Sequence, residues 1–141
     1  MTPENKALGI DLGEARIGLA ISDDLGMMAH PLETVPAKEK PLERIVEVVN
    51  QHKIQTIVLG LPRNMDGTYG AAADKIKAFH EKLKTAVSCK IILWDERLTT
   101  VAAQKSLHDA GRNVKKSRAV IDQVAAQLIL QGWLDSVGFL G

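Results

Sequence analysis

Residues 8–23, LGIDLGEARIGLAISD, decide how the rest of the chain is read. Leu8, Ile10 and Leu12 alternate with Gly9, Asp11 and Gly13, and then Ile17, Leu19 and Ile21 alternate with Gly18, Ala20 and Ser22. A period of two marks β-strands whose two faces meet different surroundings. Between the halves, Gly13-Glu14-Ala15-Arg16 is short enough for a hairpin turn, which predicts an antiparallel pair, bulky on one face and small on the other. Asp11 falls on the small face. An ionised carboxylate away from water costs several kcal/mol unless a cation or hydrogen bonds compensate it. Its small neighbours leave room for another backbone, a metal ion or a substrate to come close.

Working outward, a third strand is expected around Met27 to Thr34, followed by a helix whose face carries Leu42, Ile45, Val46 and Val49, with Pro41 in its first turn. The apolar run TIVLGLP, residues 56–62, reads as a buried parallel strand. Ala72, Ile76, Phe79 and Leu83 mark another amphipathic helix before a second buried strand, KIILWDE, residues 90–96. Thr99 or Thr100 can cap a helix that stops near Gly111, and a long helix is expected from about Arg118 to Asp135. The order is a β-meander followed by alternating α and β elements, which predicts an α/β fold with a mixed five-stranded sheet and helices on both faces.

At 141 residues the chain is the size of one ordinary domain, expected to span 1–141. Its 45% apolar and 25% charged residues argue against disorder or a fibrous repeat. No apolar run reaches roughly 18 residues and Met1 to Lys6 lacks a signal-peptide pattern, so no membrane is expected and the natural compartment is the cytoplasm. The single cysteine, Cys89, precludes an intrachain disulfide and a Cys-rich zinc site, and reads as structural. His30, His52, His80 and His108 show no i, i+4 pair, and no serine-elbow motif occurs. A formal net charge of +1 neither demands nor excludes a nucleic-acid partner.

Two further acidic positions stand out. Asp95 and Glu96 come where an apolar strand ends, and in open α/β sheets ligands gather outside the carboxyl ends of parallel strands. The plainer account is a solvated strand end with an ion pair to Arg97. Asp122, in SRAVIDQVAAQLIL, borders an apolar helix face formed by Ile121, Val124, Ala125, Leu128 and Ile129. The plainer account there is an acid favoured by the helix N-terminal dipole. Against both stands coincidence: a strand's small face, a strand's carboxyl end and the rim of a helix's buried stripe could all face one centre.

The stretches GIDLGEARIGLAISD, VLGLPRNMDGT, DERLTT and IDQVAAQLIL together resemble the YqgF/RuvX family of bacterial proteins, described as Holliday-junction-resolvase-like nucleases and as nucleases maturing small-subunit ribosomal RNA precursors. The resemblance covers nearly the whole chain, with no departure at the motif positions. It implies an RNase H-like fold, and a catalytic acidic site on Asp11, Glu96 and Asp122 with Asp95 as an additional metal ligand. Such carboxylates suit phosphodiester cleavage when Mg²⁺ or Mn²⁺ lies between them and the polyanion, inverting the local field. A pair of ions roughly 3.5 to 4 Å apart could stabilise both attacking water and leaving oxygen, with Asp11 bridging.

Substrate contacts are expected from two loops. Arg63, in GLPRNMDGT, can reach a phosphate, although Asn64 to Gly67 also has the chemistry of a plain turn. The segment GRNVKKSR gathers Arg112, Lys115, Lys116 and Arg118; the plainer account is a solvated loop, but near a metal site the cluster would grip a phosphate backbone, with Arg16 as a helper from the hairpin. Trp94 and Trp133 read as core residues rather than base-stacking platforms. Structured RNA is the favoured partner and junction DNA the second; a junction would require two sites about a twofold axis, hence a homodimer, for which the sequence shows no surface. Two rivals remain. IDLGEARIG also looks like the first phosphate-binding hairpin of actin-like ATPases and sugar kinases, which need two such lobes, whereas this chain has length for one. A non-catalytic RNA-binding assembly factor would use the basic loop and keep the acidic site only as a structural metal site.

Overall fold

The computed structural model describes residues 6–13, 15–61, 70–95 and 118–138. Strands β1 (Ala7–Leu12) and β2 (Arg16–Ser22) form the expected hairpin, pairing antiparallel with Asp11 opposite Gly18 and Gly9 opposite Ala20. The turn closes with the Gly13 amide donating to the Arg16 carbonyl at 3.0 Å. Strand β3 (Ala29–Pro36) continues the meander as the edge strand of the described sheet, where Pro31 and Pro36 are tolerated because no ladder partner lies beyond it among the described residues. It starts two residues later than its sequence suggests. The Asp23 carboxylate accepts the Met27 amide at 2.9 Å, the Asp23 amide donates to the Met28 carbonyl, and Gly26 takes φ 71°, so the turn consumes 23–28.

Helix α1 (Pro41–His52) begins with proline at its first position and leads into β4 (Thr56–Leu61), and helix α2 (Ala71–Ala86) leads into β5 (Lys90–Asp95). The sheet order is β3-β2-β1-β4-β5, with β1, β4 and β5 parallel. Helix α3 (Arg118–Gly138) completes the described fold. The helix expected between Thr99 or Thr100 and Gly111 lies outside the described residues, as do 62–69.

The two faces of the hairpin determine two cores. Bulky Leu8, Ile10, Ile17 and Leu19 pack with Ile45, Val48, Ile57, Leu59 and Leu83 under α1 and α2, and half-buried Cys89 joins them. On the small face, Ala7, Ala20, Ala29 and Val58 meet Ala126, Ile129, Leu130 and Leu134 of α3, with Trp94 and Trp133 at the margin. Helices therefore cover both faces. The stripe of α3 against the sheet is Ala126, Ile129, Leu130 and Leu134. Val124, Ala125 and Leu128 are only half-buried, so the apolar face is rotated from the one drawn from sequence. Asp122 then heads the sheet-facing stripe at i, i+4, i+7 and i+8 rather than bordering it.

Close approach is what makes this packing possible. A Cβ on Gly9 would lie 2.7 Å from Leu130 Cβ and 2.8 Å from the Ala126 carbonyl oxygen, and one on Gly18 would collide with the Asp122 carbonyl. Once seated, α3 ties down the edge strand with three glutamines one turn apart. Gln123 Nε2 donates to Thr34 Oγ1 at 3.0 Å, Gln127 Nε2 to the Ala29 carbonyl at 2.9 Å, and Gln131 Oε1 accepts the Ala29 amide at 2.9 Å. On the other face a two-point pair, Arg44 Nη2 and Nε to Glu33 at 2.6 and 2.8 Å, joins α1 to β3. Replacing Gly18 by alanine is expected to lower the urea midpoint by an equivalent of about 1–3 kcal/mol, the usual cost of overpacking, with an unchanged m-value. An unaltered midpoint would show that α3 can retreat without cost.

Candidate active site

Strand alternation puts Arg16 and Gly18 of β2 and Gly9 and Asp11 of β1 on the α3 side of the sheet. Asp11 sits near the carboxyl end of β1, two residues beyond the point where α3 presses on Gly9. Asp122 reaches the same place from above, because its own backbone rests on Gly18, the residue paired with Asp11. The dipole explanation for Asp122 does not hold, since the acid lies beyond the first turn of α3, where the terminal field has faded.

The electrostatics are unbalanced. Asp11 has its pKa pushed from 3.8 up to about 6, first by burial and then by repulsion from Asp122. Asp122 takes a hydrogen-bonded ion pair from Arg16, Nε to Oδ2 at 2.9 Å, with both side chains partly exposed. The one guanidinium thus goes to Asp122, and Asp11 is the carboxylate left short of positive charge. Hard oxygen donors in that condition suit a divalent cation, and Asp11 and Asp122 are the residues that would hold it. The engagement of Arg16 with Asp122 was not legible in the residue pattern, which suggested only a phosphate-contacting part for Arg16; 106 residues separate the partners.

The other candidates fall differently. Trp94 of β5 pairs with Gly60 of β4, and its ring lies 3.2 Å from where a Cβ on Gly132 would stand, so Trp94 faces α3. Asp95 therefore points to the α1–α2 side, away from Asp11, and among the described residues no group of three His, Cys, Asp or Glu could share a metal ion. Glu96, Arg63, Arg112, Lys115 and Lys116 lie outside the described residues; Arg118 opens α3, and its side chain is outside them too. His30 is exposed, and His52 and His80 are half-buried. Trp94 and Trp133 do pack on the smaller core, yet Trp94 Nε1 is buried without a hydrogen-bond partner among the described residues. A cavity of about 610 Å³ opens on the opposite face among Leu12, Ile17, Leu42, Phe79, Lys40, Lys75 and Lys82, with Glu43 the one acid among its described lining residues. No helix among the described residues is long and apolar enough to cross a membrane.

Comparison with known proteins gives consistent results. The family model described as RuvX, Holliday junction resolvase, matches residues 5–136. A protein of Acetivibrio thermocellus with the provisional name pre-16S rRNA nuclease is 47% identical over 137 residues, covering 94% of this chain and 97% of its own. One of Halalkalibacterium halodurans with the same provisional name is 46% identical over 134 residues, covering 92% and 96%. Among solved structures, T. thermophilus RuvC in complex with a Holliday junction matches with TM-score 0.63 at 14% identity, over 93% of this chain and 95% of that one. The Fowlpox virus resolvase bound to junction DNA matches with TM-score 0.58 at 12% identity, over 94% and 98%. At such low identity these two speak for the fold alone, which is RuvC-like and hence RNase H-like.

The raised pKa of Asp11 has a sign that can be tested. The folded protein holds this proton up to about pH 6 and the unfolded chain releases it near 3.8, so between those values folding takes up a proton. Metal-free stability should therefore fall as pH rises through that window and level off above it. Replacing Asp11 by asparagine should stabilise the metal-free protein at pH 7.5 by about 2–3 kcal/mol, since each tenfold change in proton affinity is worth about 1.4 kcal/mol, and should flatten the dependence. Urea unfolding in a chelator from pH 4 to 8 measures both; equal curves would place the charge strain elsewhere.

Proposed function

The chain belongs to the RuvX family, and on that premise we propose that it is a metal-dependent nuclease, a hydrolase of phosphodiester bonds, that matures the precursor of small-subunit ribosomal RNA. The observation that carries this reading is the carboxylate pair itself: Asp11, its proton affinity raised by burial and by Asp122, under the first turns of α3 at the carboxyl end of β1. A functionless pair would be eliminated at little cost by substitution, because as it stands it lowers stability at neutral pH.

In this reading Asp11, Glu96 and Asp122 hold Mg²⁺ or Mn²⁺, and Asp95, on the other side of the sheet, is not needed. When bound, such a cation would supply charge neutralisation at the scissile phosphate and lower the pKa of an attacking water. The chain's own part is to fix two carboxylates on a rigid strand and helix, so that no reorganisation is required when charge develops on the phosphate. Arg63, Arg112, Lys115, Lys116 and Arg118 grip the phosphate backbone, which makes binding salt-dependent without reading sequence. The protein works as a single domain in the cytoplasm.

RNA is favoured over junction DNA by the relative weight of the likenesses. The relatives provisionally named as pre-16S rRNA nucleases are 46–47% identical to this chain. The junction-bound neighbours are 12–14% identical. The resolvase reading nevertheless has the family model's own description behind it, and it would require a homodimer.

Incubation with a precursor ribosomal RNA and with a four-way DNA junction, with and without Mn²⁺, separates these readings. Cleavage of the RNA only with the metal is expected. Asp11→Asn and Asp122→Asn should each reduce the rate by more than the ~10–100-fold typical of losing a residue that merely supports a ligand, with the fold retained. Wild-type rates in either variant would overturn the assignment, RNA binding without cleavage would favour an assembly factor, and junction cleavage alone would favour the resolvase.

A further inference from the structure

We propose that Arg16 is a latch on the acidic site: in the metal-free protein its guanidinium occupies Asp122 in place of a divalent cation, and a cation must displace it to bind. The inference rests on the metal-site reading above and concerns what that site does before it is loaded.

The geometry has three parts. Arg16 is the first residue of β2 and lies on the same face as Gly18, so its side chain rises beside the α3 backbone where Asp122 is anchored. Its contact is single: Nε donates to Oδ2 at 2.9 Å, and among the described residues the guanidinium has no further hydrogen-bond partner. A residue built to clamp a carboxylate permanently uses the two-pronged fork of the guanidinium, as Arg44 does on Glu33 with Nε and Nη2. Finally, both partners are partly solvent-exposed, 34% for Arg16 and 25% for Asp122, so the arginine can swing outward without crossing packed core.

Charge then decides between staying and leaving. With Arg16 in place, the two carboxylates are half neutralised. A dication set between them satisfies both, and a guanidinium hydrogen-bonded to one of its ligands becomes a like charge at close range. Arginine does not lose its proton in proteins, so it cannot escape the repulsion by titrating and must move. The latch would keep the carboxylate pair from repelling itself apart while empty, at the expense of metal affinity.

Titration calorimetry with Mn²⁺ alone, without nucleic acid, tests this directly. Arg16→Gln should bind Mn²⁺ about tenfold more tightly than the unaltered protein, while Arg16→Lys, which restores a cation, returns toward the original affinity. Arg44→Gln removes an equal charge from a distant ion pair and should leave the affinity unchanged, controlling for the general field. In parallel, the Arg16 Nε–H resonance should be exchange-protected in chelator and lose that protection on saturation with diamagnetic Mg²⁺. Equal or weaker Mn²⁺ binding by Arg16→Gln, or a protected resonance with Mg²⁺ bound, would overturn the latch while leaving the metal site standing. Failure of every form of the protein to bind Mn²⁺ would remove the site and the latch together.

Discussion

The rest of the structure depends on a backbone-to-backbone contact, the seating of α3 directly on Gly9 and Gly18 of the β1–β2 hairpin. A helix normally stands off a sheet by the depth of the side chains between them. Here two missing side chains let the helix sink until its own Cβ atoms and carbonyls meet strand backbone. Everything on that side follows from the reduced gap. Ala126, Ile129, Leu130 and Leu134 can fill the core against alanines, three glutamines can reach the edge strand, and a carboxylate on the helix can meet one on the strand.

The same contact explains why the site is strained. Asp11 would be an ordinary surface acid at a strand end if α3 stood a few ångströms further out. Sinking the helix buries it and brings Asp122 into its field, and Arg16 answers only one of the two charges. Stability is thus sacrificed locally for a pair of carboxylates positioned in advance, a trade common where function sets the geometry. The larger core under α1 and α2, built from Leu8, Ile10, Ile17, Leu19, Ile57 and Leu59, has no such conflict and holds the sheet together against that tension.

Much of the architecture was legible because strands carry their environment in a period of two. The hairpin, the two parallel strands, the helix starting at Pro41 and the one starting at Arg118 all stood out in the residue pattern. The start of β3 did not, because the Asp23 side chain captures a backbone amide and prolongs the turn, a local competition invisible to hydrophobic pattern. The rotation of α3 also escaped. Its sequence is apolar on nearly every side, so periodicity drew the stripe through Ile121, Val124, Ala125, Leu128 and Ile129, whereas the buried one runs through Ala126, Ile129 and Leu130.

From its residues alone the chain determined a mixed sheet covered on both faces, a hairpin with one wall of small side chains, and acids at Asp11 and Asp122 that needed a reason. Those are local properties, written in alternation and composition. Only the tertiary structure decided that the charge of Asp122 bears on Asp11, that Arg16 pairs with Asp122, and that Asp95 looks the other way. The first two join positions more than a hundred residues apart and the last depends on which neighbour β5 pairs with. Distances and facing directions of that kind arise only when the chain closes on itself, because no nearby residue pattern encodes where a distant helix will come to rest.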